Sequence, residues 1–488
     1  MRRAHVLIIG IVFTVLLLAL DPFQGMTLFS PWPPGFTNNW EITTRLVDNE
    51  LNTINTWTHQ LAAAQNPYLL ADSTLLYPYR VAEPPMNASG VGGGLQLLSW
   101  QGNIIWEMVI ASDSIQLHHD IEPMPNGNIL CIAWERKTAE EANAMGRLEI
   151  ENLLNEFWVD MILEIDPTLP EGENIVWQWR FWDHLIQDVD PSLPGYGAIV
   201  DHPELLDINF GTIGAGMGSG LLNGDWLHTN GIQYNAKRDQ IVISSRNLGE
   251  LYIIDHSTTS AEAASHSGGD AGMGGDLLYR WGNPAAYGRG TAEDQQLVYP
   301  HSVNWIPQYH PGEGNLLLYN NGYGSFQSAV MELVPPLNED HTYHIDPDEA
   351  YGPAEATIVY SDNIYSPILS GAQRLPNGNT LMTVAVQKRI VEVNSNGIIQ
   401  WDYTYNGNSN VVPRALKYDI DYLVPNTLGD VNGDGGLDIL DLVHTVAMIM
   451  GEEELVDGAD MNDDGITDIL DIVLQIQFIL YGTPRSIQ

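Results

Sequence analysis

Residues 119–134 read HDIEPMPNGNILCIAW, and residues 370–385 read SGAQRLPNGNTLMTVA. In both stretches the turn Pro-Asn-Gly-Asn separates two apolar runs. Asn-Gly between apolar runs is a strong hairpin signal, because both residues tolerate a positive φ. The sequence therefore predicts antiparallel hairpins that turn at residues 125–128 and 376–379.

The same phrase recurs between about residues 40 and 425: an apolar segment ending in Trp or Tyr, a loop, a turn and another apolar segment. Such recurrence is typical of a repeat protein. Small antiparallel sheets in succession suit a β-propeller, which closes radially and leaves only short edges. A sandwich array is the weaker alternative. The apolar segments end at Trp106, Trp177, Trp281, Tyr360 and Trp401.

The composition agrees with an all-β body and excludes some partners. The 488 residues include 62 Asp plus Glu and 19 Lys plus Arg, a formal charge of −43, which argues against nucleic acid or an anionic membrane as partner. The 46 Gly, 28 Pro, 14 Trp and 21 Tyr favour short strands, turns and aromatic packing. The single cysteine, Cys131, lies in an apolar run and is interpreted as a buried thiol.

The N-terminus carries the pattern of an export signal. Arg2 and Arg3 precede an apolar run over residues 6–20. We expect residues 1–25 to be a signal peptide or an uncleaved anchor, the only expected membrane contact, and the protein to be periplasmic, cell-surface or extracellular. Residues 26–90 are predicted to be an N-terminal extension, with mixed helical patterning over residues 43–65, followed by the propeller over residues 91–424.

Three repeats place a histidine six residues before the turn, and a fourth places Ser370 there. They are His119 before Pro125, His228 before Tyr234, and His301 before Pro307. Equivalent positions of different blades converge on the central channel, so we predict that the three imidazoles share one pocket. They could bind zinc or perform nucleophilic and acid–base chemistry.

Arg246 helps to choose between these two chemistries. It follows Ile241-Val242-Ile243-Ser244-Ser245 and would end the strand next to the His228 segment. A guanidinium beside the imidazoles would oppose a divalent cation, and it favours a tetrahedral oxyanion that it can grip through paired donors. The pattern favours sulfate or phosphate rather than zinc.

Several segments together resemble the bacterial arylsulfate sulfotransferases over roughly residues 90–410. They are His119-Asp120 with 125–128, residues 225–230 with Ser244-Ser245-Arg246, residues 280–284, and His301 with Asn320-Asn321-Gly322. The resemblance implies a six-bladed propeller. It also implies transfer of a sulfuryl group from a phenolic sulfate ester to a phenol, through a sulfohistidine intermediate and without a nucleotide sulfate donor.

The resemblance also implies roles for five residues. His301 resembles the nucleophile, and His119 and His228 resemble the acid–base and sulfate-binding histidines. Arg246 resembles the sulfate-binding arginine, and Asn230 a polar contact of the site.

Two acidic loops lie near the C-terminus, thirty residues apart. Oxygen ligands at positions 1, 3, 5, 9 and 12 with glycine at position 6 match an EF-hand calcium loop, with Asp in place of Glu at position 12. The predicted Ca²⁺ ligands are Asp430, Asn432, Asp434, Asp438 and Asp441 in the first loop, and Asp460, Asn462, Asp464, Asp468 and Asp471 in the second.

An apolar helical pattern follows each loop, so the loops are expected to pack as a pair. The arrangement is similar to a type I dockerin, over residues 429–483. That resemblance implies a small α-helical, calcium-dependent module that binds a cohesin-type domain. Ile439-Leu440 and Ile469-Leu470 hold equivalent places in the two halves, either as partner contacts or as packing residues.

The leading hypothesis is an exported aryl sulfotransferase with a docking module. Two alternatives stay open. One is a non-catalytic propeller that binds sulfated or anionic glycans, which would use Arg246 but no nucleophile at His301. The other is a hydrolase in which water takes the sulfuryl group.

Overall fold

The computed structural model describes residues 21–34, 41–150, 152–170, 172–214, 222–423, 429–432, 437–451, 453, 455–456, 458–462 and 464–481. Two predictions fall outside these ranges: the leader over residues 1–20 and the calcium ligand Asp434. No helix in the described ranges has the length and apolar character needed to span a membrane.

The described chain forms six antiparallel sheets of four strands, which are the blades of a six-bladed β-propeller. The strands of blades 1 to 3 are β1 Gly25–Phe29, β2 Ile42–Val47 and β3 Thr53–His59; β4 Tyr68–Leu69, β5 Leu75–Arg80, β6 Gly93–Leu98 and β7 Ile104–Val109; and β8 Ile115–Pro123, β9 Ile129–Thr138, β10 Glu156–Ile165 and β11 Ile175–Arg180. A parallel pair follows, β12 Leu185–Ile186 and β13 Leu206–Asp207.

The remaining strands are β14 Thr229–Asn235, β15 Gln240–Ser245, β16 Glu250–Asp255 and β17 Tyr279–Trp281 in blade 4; β18 Pro300–Trp305, β19 Leu316–Gly324, β20 Gln327–Leu333 and β21 Thr357–Tyr360 in blade 5; β22 Gly371–Arg374, β23 Thr380–Val384, β24 Arg389–Val393 and β25 Ile399–Thr404 in blade 6; and β26 Ala415–Asp419 in blade 1. The helices are α1 Ala139–Ala144, α2 Ser260–Ala263, α3 Ile439–Ile449 and α4 Ile469–Tyr481. Both predicted Asn-Gly hairpins are confirmed, between β8 and β9 and between β22 and β23.

The ring closes within blade 1. The last strand, β26, pairs antiparallel with the first strand, β1, so one blade joins the two ends of the propeller through backbone hydrogen bonds. A buried ion pair reinforces the closure, because Lys417 Nζ lies 2.8 Å from Glu392 Oε2. The Glu392 carboxylate also accepts from the backbone N–H of Phe23 at 2.6 Å.

This closure corrects the predicted domain boundaries. Residues 26–90 are no extension, because they supply strands of blades 1 and 2 from β1 to β5. Asp21, inside the predicted leader range, also contacts the propeller, since its N–H donates to Gln400 Oε1. Mixed helical patterning was predicted for residues 43–65, but the segment contains strands. A strand with one buried face alternates buried and exposed residues, whereas the neighbours Thr43 and Thr44 of β2 are both buried, so the sequence lacks that alternation. Thr44 Oγ1 is held by the Ser30 hydroxyl and the His59 ring.

The innermost strands carry the residues that meet at the propeller axis. β14 packs against both β8 and β18, the innermost strands of the two neighbouring blades. The blades are filled by buried aromatic and aliphatic side chains, among them Trp226, Trp281 and Trp305. Cys131 is fully buried as predicted, and burial raises its thiol pKa. In the C-terminal segment α3 contacts α4, and Gln475 donates to Thr445 Oγ1 at 2.7 Å.

Candidate active site

A kink in the innermost strands aims the predicted histidines into the channel. His119, His228 and Ser370 have positive φ angles of 52°, 54° and 80°; the strand register breaks at His119 in blade 3 and just after His228, between Thr229 and Gly231, in blade 4. Within strand β18 of blade 5 it is Ser302 that has a positive φ, 53°, at the register break, so His301 lies one residue before the kink. Such bulges re-aim side chains next to functional sites. The strict register predicted for all three histidines is therefore off by one in blade 5.

Four of the five predicted residues share one cavity. His119, His228, Arg246 and His301 line a space of about 30 Å³, together with Trp32, Ser89, Gly90, Ile368 and Leu369. Asn230 does not line it. Its amide donates to the Pro300 carbonyl at 2.8 Å and accepts from the Ser244 hydroxyl at 2.8 Å. Asn230 thus anchors the backbone next to His301.

His301 is a buried, neutral imidazole with a defined proton. Its Nδ1 lies 2.8 Å from Asn321 Oδ1 and 3.1 Å from the Tyr299 carbonyl, and both oxygens only accept, so Nδ1 carries the hydrogen. The Asn321 amide cannot turn around, because its Nδ2 donates to the Ser366 and Leu369 carbonyls. Burial, and then the charge of Arg246, lower the pKa of His301 to about 3. Its Nε2 lone pair is therefore free for nucleophilic attack near neutral pH.

His228 is oriented by a buried carboxylate. Its Nδ1 donates a hydrogen bond to Asp225 Oδ2, and Trp134 Nε1 donates to the other oxygen of Asp225 at 3.1 Å. Burial opposes ionisation of Asp225, but the charge of His228 and the hydrogen bond outweigh it and lower the pKa of Asp225. The ionised Asp225 would stabilise an imidazolium at His228, which suits a group that gives and takes protons.

His119 is one end of a chain of polar groups. Its Nδ1 lies 2.8 Å from Nδ1 of His118, so one proton is shared between the two rings. His118 Nε2 lies 3.1 Å from Asp160 Oδ1, and the His118 ring stacks on Trp134. Burial, and then His228, lower the pKa of His119 well below its ordinary value. The rings of His119 and His228 are in contact, with centroids 4.4 Å apart.

Arg246 supplies a fixed positive charge beside the three imidazoles. Its Nη1 donates to Asn247 Oδ1 at 3.0 Å, and its guanidinium lies over the Tyr299 ring, 4.3 Å from the centroid. A guanidinium stays charged and presents a planar set of donors to an oxyanion. The cavity therefore combines one neutral imidazole, one imidazole oriented by a carboxylate and one guanidinium.

The described calcium ligands of the prediction precede α3 or α4, except Asp441 and Asp471, which lie in the first turns of these helices. In the second loop, Asp460 accepts from the N–H of Gly465 at 2.7 Å, and Asn462 Oδ1 accepts from the N–H of Asp464 at 3.0 Å. The position-12 residues, Asp441 and Asp471, are fully buried and accept two backbone N–H groups on one oxygen each. In the first loop Asp438 caps α3; Asp468 likewise accepts from the N–H of Leu470 at the start of α4.

Sequence reasoning missed several groups that hold the cavity together. Asp225 and Asn321 belonged to the quoted motifs, and the spacing of Asp225 three residues before His228 was an available signal. Trp32 and Gly90 carried no such signal, because they lie in the segment interpreted as an extension. Gly90 is required by close approach: a Cβ there would lie 2.0 Å from His119 Nε2.

Solved structures match most of the chain at low identity and low TM-score. A protein of unknown function from Bacteroides caccae is 10% identical with a TM-score of 0.41, covering 81% of this chain and 99% of its own. The periplasmic gluconolactonase of Pseudomonas aeruginosa is 10% identical with a TM-score of 0.40, covering 81% and 99%. No match to a curated protein was found.

The sequence profile described as Arylsulfotransferase (ASST) matches residues 89–421. The matched range holds His119, His228, Arg246 and His301, and it spans more than half of the chain. The match supports a sulfotransferase enzyme that uses an aryl sulfate donor and a phenol acceptor. The chain belongs to the arylsulfotransferase family.

Proposed function

We propose that this protein moves a sulfuryl group from an aryl sulfate ester to a phenol through a sulfohistidine at His301. The observation that carries the proposal is the state of His301. Its Nδ1–H is held by Asn321, its pKa is about 3, and its free Nε2 shares a 30 Å³ cavity with Arg246. A cavity of that size suits a small tetrahedral group better than a whole aromatic substrate.

In the first half-reaction, His301 Nε2 attacks sulfur, the N–S bond forms and the bond from sulfur to the aryl oxygen breaks. The departing phenolate takes the proton of the His228 imidazolium, whose charge Asp225 stabilises. Arg246 and His119 face the sulfuryl oxygens and stabilise the negative charge that develops on them.

In the second half-reaction, an acceptor phenol gives its proton to His228 as its oxygen attacks the same sulfur. The N–S bond breaks and the electron pair returns to His301 Nε2. The enzyme regains its starting protonation state, so donor and acceptor phenols use the same groups in opposite directions.

A larger space next to the cavity suits the aromatic ring. It measures about 250 Å³, shares Trp32, Ser89 and Gly90 with the first cavity, and is otherwise lined by Ala63, Ala64, Arg80, Ala88 and Val91. An apolar cavity of about 150 Å³ is enough for benzene. We infer that donor and acceptor rings occupy this space in turn, beside the Trp32 side chain.

The test measures 4-nitrophenol release from 4-nitrophenyl sulfate, with and without added phenol, for the wild type and His301→Ala. We expect phenol-dependent release that falls at least about 10³-fold in the variant, and a mass increase of one sulfuryl group on His301 of the wild type. His344→Ala, which removes an exposed histidine, is the matched control. Release independent of phenol would favour hydrolysis, and binding of sulfated ligand without release would favour the non-catalytic propeller.

We further propose that the protein is exported and that residues 429–483 form a calcium-dependent docking module for a cohesin-type domain. The oxygen-only donor set fits Ca²⁺: Asp430, Asn432, Asp434, Asp438 and Asp441 would hold one ion, and Asp460, Asn462, Asp464, Asp468 and Asp471 the other. Calcium supplies the positive charge that neutralises these clustered carboxylates.

The exposed surface of α3 and α4 is consistent with such a partner. The side chains that begin the two helices are equivalent and exposed: Ile439 at 67%, Leu440 at 54%, Ile469 at 64% and Leu470 at 54%. Of the two alternatives left open by the sequence, the exposure of these four side chains supports a partner contact over packing. An exposed apolar pair repeated in both halves favours a partner contact.

Calcium chelation tests the module separately from the enzyme. We expect chelation to remove helical circular dichroism from the C-terminal segment and to leave sulfuryl transfer unchanged, because no described residue of the loops lines the active cavity. Asp471→Ala is expected to abolish calcium binding to the second loop. Calcium-independent helicity would contradict the proposal for the module without affecting that for the enzyme.

A further inference from the structure

A second cluster of chemically active side chains lies away from the cavity at His301. Among the described residues, His184, His266 and Asp276 are the one group of three His, Cys, Asp or Glu side chains whose ligand atoms lie within 4.8 Å of one another. His184 follows the short 3₁₀ helix Phe181–Asp183 after blade 3, and the other two lie on the loop between β16 and β17 of blade 4. The cluster therefore connects two blades.

The contacts of His184 leave one position to be filled between its ring and Asp276. Its Nε2 lies 2.8 Å from the Ala263 carbonyl, which only accepts, so Nε2 carries a hydrogen. Its Nδ1 lies 2.8 Å from Asp276 Oδ1. A proton, carried by the ring or by the carboxyl group, or a metal ion must lie between these two atoms. The His184 side chain is fully buried and stacked parallel to Trp179, a setting in which an imidazolium is costly.

His266 approaches the same oxygen from another side. Its Nδ1 lies 2.7 Å from Asp276 Oδ1, so two imidazole nitrogens converge on one carboxylate. This differs from His256, where two separate carboxylates, those of Asp239 and Glu164, face the two nitrogens of one ring. The single negative charge of Asp276 can balance at most one positive charge on the two histidines. A bound cation would contact all three side chains.

The donor set and its surroundings fit zinc. Two imidazoles and one carboxylate are a common set of zinc ligands, and a ligating histidine usually donates its other N–H to a carbonyl, as His184 does to Ala263. The His266 side chain is 62% exposed, which gives the ion a path of entry and leaves a fourth position for water. The loop is closely built here, because a Cβ on Gly275 would lie 2.0 Å from the Ala263 carbonyl oxygen.

We propose that His184, His266 and Asp276 bind one Zn²⁺ ion, which fastens the loop between β16 and β17 to the end of blade 3. This inference does not depend on the proposed sulfuryl transfer, because none of the three residues lines the cavity at His301. The ion takes the place of the proton between His184 Nδ1 and Asp276 Oδ1. Its positive charge balances the negative charge of the Asp276 carboxylate.

The experiment uses tag-free, full-length protein that is stripped by a chelator, reloaded with excess calcium and titrated with Zn²⁺ against a chromophoric chelator. We expect one zinc per chain beyond the calcium loops, with Co²⁺ giving visible ligand-field bands at the same stoichiometry. His266→Ala and Asp276→Asn should each weaken Zn²⁺ binding by at least about 10-fold. His344→Ala, in which an exposed histidine next to Asp346 is removed, should bind like the wild type.

Two results would overturn the proposal: no zinc taken up at this stoichiometry, or equal affinity in His266→Ala. Either would leave His184 and Asp276 as a hydrogen-bonded pair without a metal ion. Zinc held instead by the three pocket histidines would be lost in His301→Ala, whereas zinc at the proposed site persists there. Should Asp276→Asn fail to fold, His266→Ala decides alone, because that side chain is mostly exposed.

Discussion

His301 and His256 are both largely buried in the same propeller, yet their pKa values lie on opposite sides of neutrality. Burial and Arg246 lower the pKa of His301 to about 3. Burial opposes protonation of His256 too, but hydrogen bonds to Asp239 and Glu164 outweigh it and raise the pKa to about 9. The difference is one of neighbours: His301 Nδ1 faces uncharged oxygens, and His256 faces carboxylates. Uncharged acceptors orient a ring without charging it.

The two environments serve different ends. The neutral His301 keeps a lone pair for chemistry inside the channel. The charged His256 connects Glu164 on β10 of blade 3 to Asp239 in the turn between β14 and β15 of blade 4. Histidine is therefore a candidate nucleophile at the propeller axis, and elsewhere it forms ion pairs that connect two blades.

The largest expected effect comes from making the same substitution in both regions. Asp225→Asn removes the carboxylate that orients His228, and we expect kcat for aryl sulfate transfer to fall about 10⁴-fold, as for a catalytic-triad histidine that loses its orienting carboxylate. Asp239→Asn removes a carboxylate from His256 and should leave kcat within about 2-fold, with a lower free energy of unfolding. Steady-state kinetics and urea unfolding of both variants check this. Equal losses of kcat would contradict the distinction.

A smaller effect is expected from moving one pocket histidine without removing it. A Cβ on Gly90 would lie 2.0 Å from Nε2 and Cε1 of His119, so Gly90→Ala must displace that ring. We expect a loss of about 10²-fold in kcat/KM, since small misplacements of catalytic groups have effects of this size.

Gly127→Ala is the matched control for that experiment. Gly127 has a φ of +85°, close to the +79° of Gly90, but nothing lies within 4 Å of its added Cβ. Backbone strain is therefore similar in the two variants, and only Gly90→Ala should lose activity. A comparable loss in Gly127→Ala would assign the effect to strain instead of the position of His119.

The repeated hairpins and the pocket histidines were predictable because turn chemistry and residue spacing are local properties of the chain. The first blade was not, because its strands β1 and β26 lie almost 400 residues apart in sequence. Spacing from the turn also does not reveal backbone conformation. In strand β18 of blade 5 the left-handed residue is Ser302 instead of His301. The role of Asn321 was not predictable either. Its amide is held in position for His301 by hydrogen bonds to the Ser366 and Leu369 carbonyls, which only the folded chain brings together.

The smallest expected effect is on stability, and its pH dependence separates the two histidines. The pKa of His256 is raised from 6.5 to about 9 on folding, so its contribution is complete below pH 6.5 and is lost as the pH rises through 9. Hydrogen bonds from His256 lower the pKa of Asp239 and, against the opposing effect of burial, the pKa of Glu164. The stabilisation by these ion pairs is therefore also lost in acid, when the two carboxylates are protonated. We expect His256→Gln to reduce the free energy of unfolding by at most about 3 kcal/mol at pH 6.

At pH 9.5 the same substitution should have little effect, because His256 is then neutral in both the folded and the unfolded chain. Urea unfolding of the propeller, followed by tryptophan fluorescence at pH 6, 7.5 and 9.5, measures the change; a difference that stays constant over this range would show that His256 acts by packing alone. For His301 the sign is reversed: its pKa is lowered to about 3, so acid below pH 6.5 protonates the unfolded chain first and favours unfolding. Replacing His301 by Gln should therefore relieve an acid-dependent loss of stability, while the same change at His256 removes a stabilising charge.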